Sequence, residues 1–555
     1  MNFFNQNILQ MIVLFILSFL PLISLKWIPK KYYPLAIFIS SLSLLFHTTL
    51  ISSFIWGQDV NVEYELANFV LENGYWNFTT SNNVNAMLSI NILAPVYALV
   101  VGIDLKWVYK IIFPFIFSLV PLGLFYIFKD ISNSKISLLA CYYFISVSAF
   151  FTTLPAAARQ EIAEFFLVIL LLLILDKSMD NLKKSLLAIT FGFSIIVSHY
   201  GLSYLVLILL TLAFVVTVIP RSKKYLQIDD NYIFNKNFLI LLSVFTLAWF
   251  MYISSSSIFN LGVNIGVNIF DSITELTEVS TQASSIISGK IPFLQSWERY
   301  LYLISQFFIG IGVISLFSSK YNLIKNKKEY SLFSIAAFVI LLAAIIVPGV
   351  SNSLNTDRIF HISLIILAPF FVFGVLTLVK FLKYKIIFRN LNVLRDKNVF
   401  YLISGFLIIF MLFNTAFFYQ ILDQPKSGRF ALDNNVDFPI VNEMEFTSIK
   451  WFGKNYNPKF STYTDVNKAI FFNSVTGKDI KISTINSRDI EIGLIFRNSY
   501  LFLSTYDINN NIISFNKITN NKASIAYYNT SIFEERKGSI YDNGGSKILF
   551  TQTNL

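Results

Sequence analysis

The sequence predicts an α-helical polytopic membrane protein of about twelve spans, at about 20 apolar residues each, with an extracytoplasmic α/β domain at its C-terminal end. Three observations predict this. Of 555 residues, 55% are hydrophobic and only 14% are charged, whereas a soluble globular chain carries about 25% charged residues. Mean hydropathy is +0.62. Lysine and arginine gather in alternate loops rather than spreading along the chain. The net charge of +11 is therefore a topology signal and calls for no nucleic acid.

The elements follow in order. "MNFFNQNILQMIVLFILSFLPLISLKW" has no basic stretch before its apolar run and no small-residue cleavage site, so it reads as a retained span. Candidate spans cover 8–25, 34–54, 107–128, 136–154, 161–176, 185–199, 202–219, 238–253, 300–317, 331–347, 359–379 and 399–417. The loops "KWIPKK", "KDISNSK", "DKSMDNLKK", "RSKKYLQIDDNYIFNKN", "SSKYNLIKNKKEY" and "KFLKYKIIFRNLNVLRDKN" are basic, while 55–106, 155–160, 254–299 and 348–358 are poor in Lys and Arg. Basic loops stay in the cytoplasm, so the second set and both termini face outward. "MLSINILAPVYALVVGI", 87–103, is apolar enough to cross, but crossing would turn every later basic loop outward. Pro95, Asn85 and Asn91 fit a juxtamembrane or re-entrant helix instead.

Residues 1–417 thus form the transmembrane bundle. Within it, 55–106 is a first outer loop with juxtamembrane helices, and 254–299 is a second long outer loop. In 418–555 the apolar runs shorten to strand length, as in "FSTYTDV", "SYLFLSTYDI" and "ASIAYYNT". "VNEMEFTSIKWFGKNY" reads as a helix with Met444, Ile449 and Phe452 on one face. The one cysteine, Cys141, permits no intrachain disulfide and lies in an apolar run as packing.

Ionisable groups in or beside spans are costly and are functional-site candidates by default. Most of them fall on the predicted outer side. "WGQDVNVEYE" places Asp59, Glu63 and Glu65 just after the second span. "PAAARQEIAEFF" places Arg159, Glu161 and Glu164 at the mouth of the fifth. "SHYG" puts His199 and Tyr200 in a minimal turn, and "SNSLNTDRIFH" puts Asp357, Arg358 and His361 at the start of the eleventh. "WERY" adds Glu298 and Arg299. Each also has a plainer reading: a solvated loop for the acids, a snorkelling Arg358, a hydrogen-bonded packing residue for His199.

Asp59 and Glu63 lie four residues apart and share a helix face. Two such acids without a basic neighbour in sequence are unfavourable unless they serve a ligand, a metal or a proton. A hard divalent ion such as Mg or Mn is one candidate ligand, held by their oxygens. His and Cys spacing for zinc is absent, as are a P-loop, GxGxxG and Gly-x-Ser-x-Gly.

The order of these parts resembles the C-type glycosyltransferase (GT-C) superfamily, multi-span enzymes that use lipid-phosphate-linked sugars. A span leads to a long outer loop with an acidic motif and juxtamembrane helices. Further spans, another long outer loop and an exported C-terminal domain follow. A closer resemblance is to an uncharacterised, mainly archaeal family of multi-pass membrane proteins, a domain of unknown function. It rests on "WGQDVNVEYE", "NNVNAMLSI", "RQEIAE", "SHYG" and "IYDNGGSKIL".

The GT-C resemblance implies a cell-membrane protein that transfers a sugar from a polyprenyl- or dolichyl-phosphate donor to a glycan, lipid or protein acceptor. It makes Asp59 the general base, with Glu63 assisting it or holding a metal. Arg159, Arg358, His199 and Tyr200 would meet the phosphate or sugar, supported by Glu161, Asp357 and His361. Motifs of that superfamily often carry adjacent acids, whereas here the second acid is four residues on. Two other classes stay open: a transporter or lipid-glycan flippase, and an O-antigen-type polymerase or ligase.

Overall fold

The computed structural model describes residues 8–218, 236–274, 293–318, 323–324, 328–347, 350, 355–384, 396–422 and 441–551, except 466, 470, 477–479, 487–494, 496–497 and 520–521. The basic loops over 219–235 and 385–395, the middle of the second outer loop (275–292) and residues 351–354 lie outside the described residues.

Every expected span falls on a helix, but not every helix is a full span. Among the described residues, eight helices are long and apolar enough to cross a membrane, and Lys236–Tyr252 with Ser254–Asp271 passes the same test only as a pair, across an 88° bend. The expected twelve exceed this for three physical reasons. Tyr33–Thr49 stops at 17 residues, because the apolar run continues into the turn that leads to Asp59. Ser134–Ser146 has only 13 residues, and Ile136 through Ser146 are all buried. Such a helix is apolar all round because protein surrounds it. Ala158–Leu175 is long enough but carries Arg159, Glu161 and Glu164 in its first two turns.

The stretch 87–103 is not one helix of span length. It forms two short helices, Leu88–Asn91 and Leu93–Val101. Asn91 makes the break: its buried amide donates to the carbonyls of Val84 (2.9 Å), Asn85 (3.0 Å) and Met87 (3.1 Å).

Lys110 fixes the turn that follows Tyr33–Thr49. It is 2% exposed, in the first turns of Leu105–Ile131. Its ammonium donates to the carbonyls of Thr49, Ser52 and Phe54. Those carbonyls follow the end of Tyr33–Thr49, where a helix leaves its last acceptors unsatisfied. A buried cation is tolerated when hydrogen-bonded in this way.

The C-terminal domain is mixed α/β. Its five-stranded sheet runs β2-β1-β3-β7-β6, from β1 (Ser461–Thr464), β2 (Ile482–Thr484), β3 (Ser499–Leu503), β6 (Gly538–Asp542) and β7 (Lys547–Thr551). β1 is parallel to both neighbours, and β7 is antiparallel to β3 and β6. β4 (Ile512–Thr519) and β5 (Lys522–Asn529) form a separate hairpin. Alternate residues of β3 serve two cores: Tyr500 and Phe502 face one, Leu501 and Leu503 the other. Period-two side chains produce this in a strand covered on both faces.

The expected helix over 441–456 spans Glu443–Asn455 and starts at a capping box between Asn442 and Glu445. Ile449 and Phe452 are buried as expected, but Met444 is 51% exposed. The domain packs on the turn that precedes the Asp59 helix. Phe54 packs on its core, with the Phe54 and Phe446 rings 4.7 Å apart, and Gln58 donates to Asn467 at 3.4 Å.

Candidate active site at one end of the bundle

The site begins with a glycine. Gly57 has φ of +111°, a conformation open mainly to glycine. A Cβ there would lie 2.5 Å from that of Ala156. The close approach docks the start of the Asp59–Asn73 helix onto "PAAAR": the Val60 N–H donates to the Ala156 carbonyl at 2.9 Å. Asn61 donates back to the Gly57 carbonyl at 2.6 Å. Arg159 follows three residues after Ala156, so this docking sets it beside the acids.

The Arg159 guanidinium pairs with Asp59 Oδ2 at 2.8 Å and with Glu63 Oε1. Its backbone N–H also donates to Glu63 Oε2 at 3.3 Å. Arg358, from the first turn of Thr356–Tyr384, donates to the same Asp59 Oδ2 at 3.1 Å. One carboxylate oxygen thus joins two guanidinium groups, Arg159 and Arg358, that lie 199 residues apart in sequence. The basic neighbour that the two acids lack in sequence is supplied by the fold. Side-chain exposure is graded: Glu63 0%, Arg159 4%, Arg358 24%, Asp59 41%.

The two acids titrate in opposite directions. Burial pushes Asp59 up, but Arg159 and Arg358 together outweigh it and hold the carboxyl below its ordinary 3.8. For Glu63 burial is complete and outweighs Arg159, with Asp59 adding to the upward push, so the carboxyl rises above its ordinary 4.5.

Asp59, Arg159 and Tyr200 line a cavity of about 410 Å³ with Val62, Ser81, Asn82, Asn83, Val84 and Ser257. Ligand pockets run from about 300 to 1,000 Å³. Arg159 stands 5.8 Å over the Tyr200 ring. His199 is set back: its ring stacks on Tyr200 at 5.4 Å, and its Nδ1 accepts from the Leu202 N–H at 2.8 Å. That bond leaves the ring proton on Nε2, which is buried without a partner among the described residues.

The other expected residues lie deeper or beside the cavity. Among the described residues, both Glu161 oxygens are buried without a partner. Glu164 accepts from Gln160 at 2.9 Å and faces His361 Nδ1 at 3.5 Å. The His361 ring packs on Phe144 and Phe150. Asp357 occupies the first turn beside Arg358, where a carboxylate suits the helix N-terminus. Glu298 accepts from Tyr419 at 2.9 Å.

The proposed metal pair fits poorly: both carboxylates already face arginine. Among the described residues no three His, Cys, Asp or Glu side chains converge as metal ligands. Sequence reading missed Gly57, Asn61, Ser81, Asn82, Asn83, Ser257 and Lys110. Only Lys110 carried a clear signal, as a lone charge in an apolar span.

Fold and site define a class: a multi-pass membrane protein whose helices converge, at one end, on an acid–guanidinium cluster beneath a mixed α/β domain. The chain belongs to the family described as "Predicted membrane protein (DUF2206)", matched over residues 184–549. The matched region includes "SHYG" and "IYDNGGSKIL", while "WGQDVNVEYE", "NNVNAMLSI" and "RQEIAE" precede it.

Similar solved structures include the following two. Arabinofuranosyltransferase AftD from Mycobacteria aligns over 94% of this chain and 40% of its own, with 11% identity and a TM-score of 0.49. This chain therefore spans less than half of AftD. ArnT from Cupriavidus metallidurans, bound to undecaprenyl phosphate, aligns over 93% of this chain and 97% of its own, with 10% identity and a TM-score of 0.39. Likeness at that level bears on neither activity nor substrate. No curated protein matches the chain.

Proposed function

We propose that the protein is an inverting membrane glycosyltransferase. It transfers a sugar from a polyprenyl- or dolichyl-phosphate donor to an acceptor hydroxyl on the extracytoplasmic face, where the C-terminal domain also lies. One observation carries the reading: Asp59 Oδ2 is shared by Arg159 and Arg358 at the cavity. Both guanidinium groups lie on Oδ2, so Oδ1 is the oxygen free to accept a proton.

The acceptor oxygen attacks the anomeric carbon and its proton passes to Asp59. The bond from that carbon to the phosphate oxygen breaks, and its electron pair leaves with the phosphate. Arg358 and Arg159 meet the developing charge, as planar guanidinium groups suit phosphate oxygens. Glu63 orients Arg159. Tyr200 lines the sugar space. The lowered carboxyl keeps Asp59 ionised at neutral pH but makes it a weak base, so its contribution belongs at the low end of the usual range of about 10²–10⁴.

The test is sugar transfer from a polyprenyl-phosphate donor by the purified chain and by Asp59→Asn. A fall of about a hundredfold or more in kcat, with the fold intact, supports the reading. Unchanged transfer removes Asp59 from the role of base.

A second reading, a proton-coupled carrier, draws on buried Glu161, Glu164 and His361. Ionisable groups inside a bundle mark proton paths in transporters. Donor-independent, pH-driven flux in proteoliposomes favours it over transfer.

A further inference from the structure

The second outer loop begins with a sharp corner. Lys236–Tyr252 runs as a span, and the chain then turns through 88° into the next helix. Ser254, Ser255 and Ser256 make the turn with φ of 56°, 51° and 61°. A left-handed conformation costs an L-residue about 1–2 kcal/mol, so three in succession need outside support.

The first outer loop gives it. The Ser254 N–H donates to the Phe78 carbonyl at 2.8 Å, and Ser255 Oγ donates to the Thr79 carbonyl at 2.7 Å. Trp249 donates to the Ala86 carbonyl at 3.1 Å and stacks on Trp76, with centroids 6.3 Å apart. The bend is built in, and it turns the following helix perpendicular to the span.

That helix, Ser257–Thr274, has three distinct faces. Ile258 is fully buried, and Gly262 lies so close to Tyr204 that a Cβ would meet its hydroxyl at 3.1 Å. This face rests on the bundle. Phe259, Val263, Val267 and Phe270 recur at helical spacing on a second face. Val263, Val267 and Phe270 are 48%, 52% and 69% exposed. Asn260, Asn264, Asn268 and Asp271 form a third, exposed polar stripe.

A helix leaving the end of a span at a right angle runs along the membrane surface. There an apolar face beside a polar stripe is satisfied by acyl chains below and water above.

We propose that Ser257–Thr274 is an interfacial helix docked on the bilayer, with Val263, Val267 and Phe270 in the acyl boundary and the asparagine stripe in water. The surface continues the lipid-facing surface of the preceding span, where Met251 and Tyr252 are also exposed. Its occupant is lipid rather than another protein. Because Ser257 lines the cavity, the helix runs from the cavity out along the membrane surface. This inference stands whether or not the chain transfers sugar.

The test uses the full chain in lipid nanodiscs with a single nitroxide label at Val267→Cys, Phe270→Cys, Asn264→Cys or Asn268→Cys. Buried Cys141 is checked for labelling in the unsubstituted chain. Collision with oxygen and with a water-soluble nickel complex gives the depth. Labels at 267 and 270 are expected about 5–10 Å below the headgroups, and those at 264 and 268 in water.

Four labels equally open to nickel place the helix in solvent. Four favouring oxygen make it a membrane-crossing segment. Four shielded from both mean that protein covers it. Each of these outcomes overturns the proposal. The paired labels on each face keep the result readable if one variant misfolds.

Discussion

At Asp59 the fold supplies what the local sequence withholds. Two acids one turn apart repel, yet both are held because Arg159 stands between them and Arg358 completes the charge balance. The sign of their titration follows. Asp59, with its carboxyl lowered, contributes stability above the ordinary carboxylate value, and this is lost as pH falls through its lower folded value. Glu63, with its carboxyl raised, acts in the opposite sense: its contribution is full below its ordinary value and is lost as pH rises through the folded one. If Asp59 is the base, the acid limb of kcat/KM falls below pH 3.8, since that limb reports the free enzyme's base. A limb near pH 6 in a pH–rate profile assigns the base to another group. Asp59, Arg159 and Arg358 were legible because each is an ion beside an apolar run. Which of them would touch was not legible, because the pairing joins helices far apart in sequence.

At the scale of elements, the turn between Tyr33–Thr49 and the Asp59 helix decides where the site stands. Lys110 grips its carbonyls, and Gly57 lets it pass within van der Waals reach of Ala156. Gly57→Ala is expected to destabilise the protein by about 1–3 kcal/mol from backbone strain alone, with overlap at Ala156 adding to it. Thermal unfolding in detergent reads this as a lower midpoint. An unchanged midpoint means that the loop relaxes freely.

The helices themselves were largely legible from apolar runs of span length. Their ends were not. An apolar stretch such as 34–54 does not reveal that its last residues leave the helix to meet Lys110. Nor does 136–154 show that protein, not lipid, surrounds it. A pattern of apolar residues records burial, and burial against lipid and against protein look alike in sequence.

At the scale of the molecule, the C-terminal domain meets the turn before the Asp59 helix and also that helix, against which Phe471–Thr476 packs. The Phe54 and Phe446 rings pack at the turn, beside the Gln58–Asn467 bond. An aromatic pair contributes about 0.5–1.5 kcal/mol. Phe446→Ala should therefore speed amide hydrogen exchange over residues 50–58 by about two- to twelvefold, and exchange as slow as in the parent chain means that the ring pair bears no load. The α/β character of the domain was readable from strand-length runs beside the helix at 441–456. Its seat on the turn before the Asp59 helix was not, because a single phenylalanine after an apolar run carries no sign of its partner.

The residues between Thr49 and Asp59 are held from both sides, by a lysine in the membrane helix and by an aromatic ring in the domain. The halves are therefore not interchangeable modules. A tail grafted from a relative brings its own counterpart to Phe446, and unless that surface fits Phe54 the graft shifts the carboxylate along with the turn.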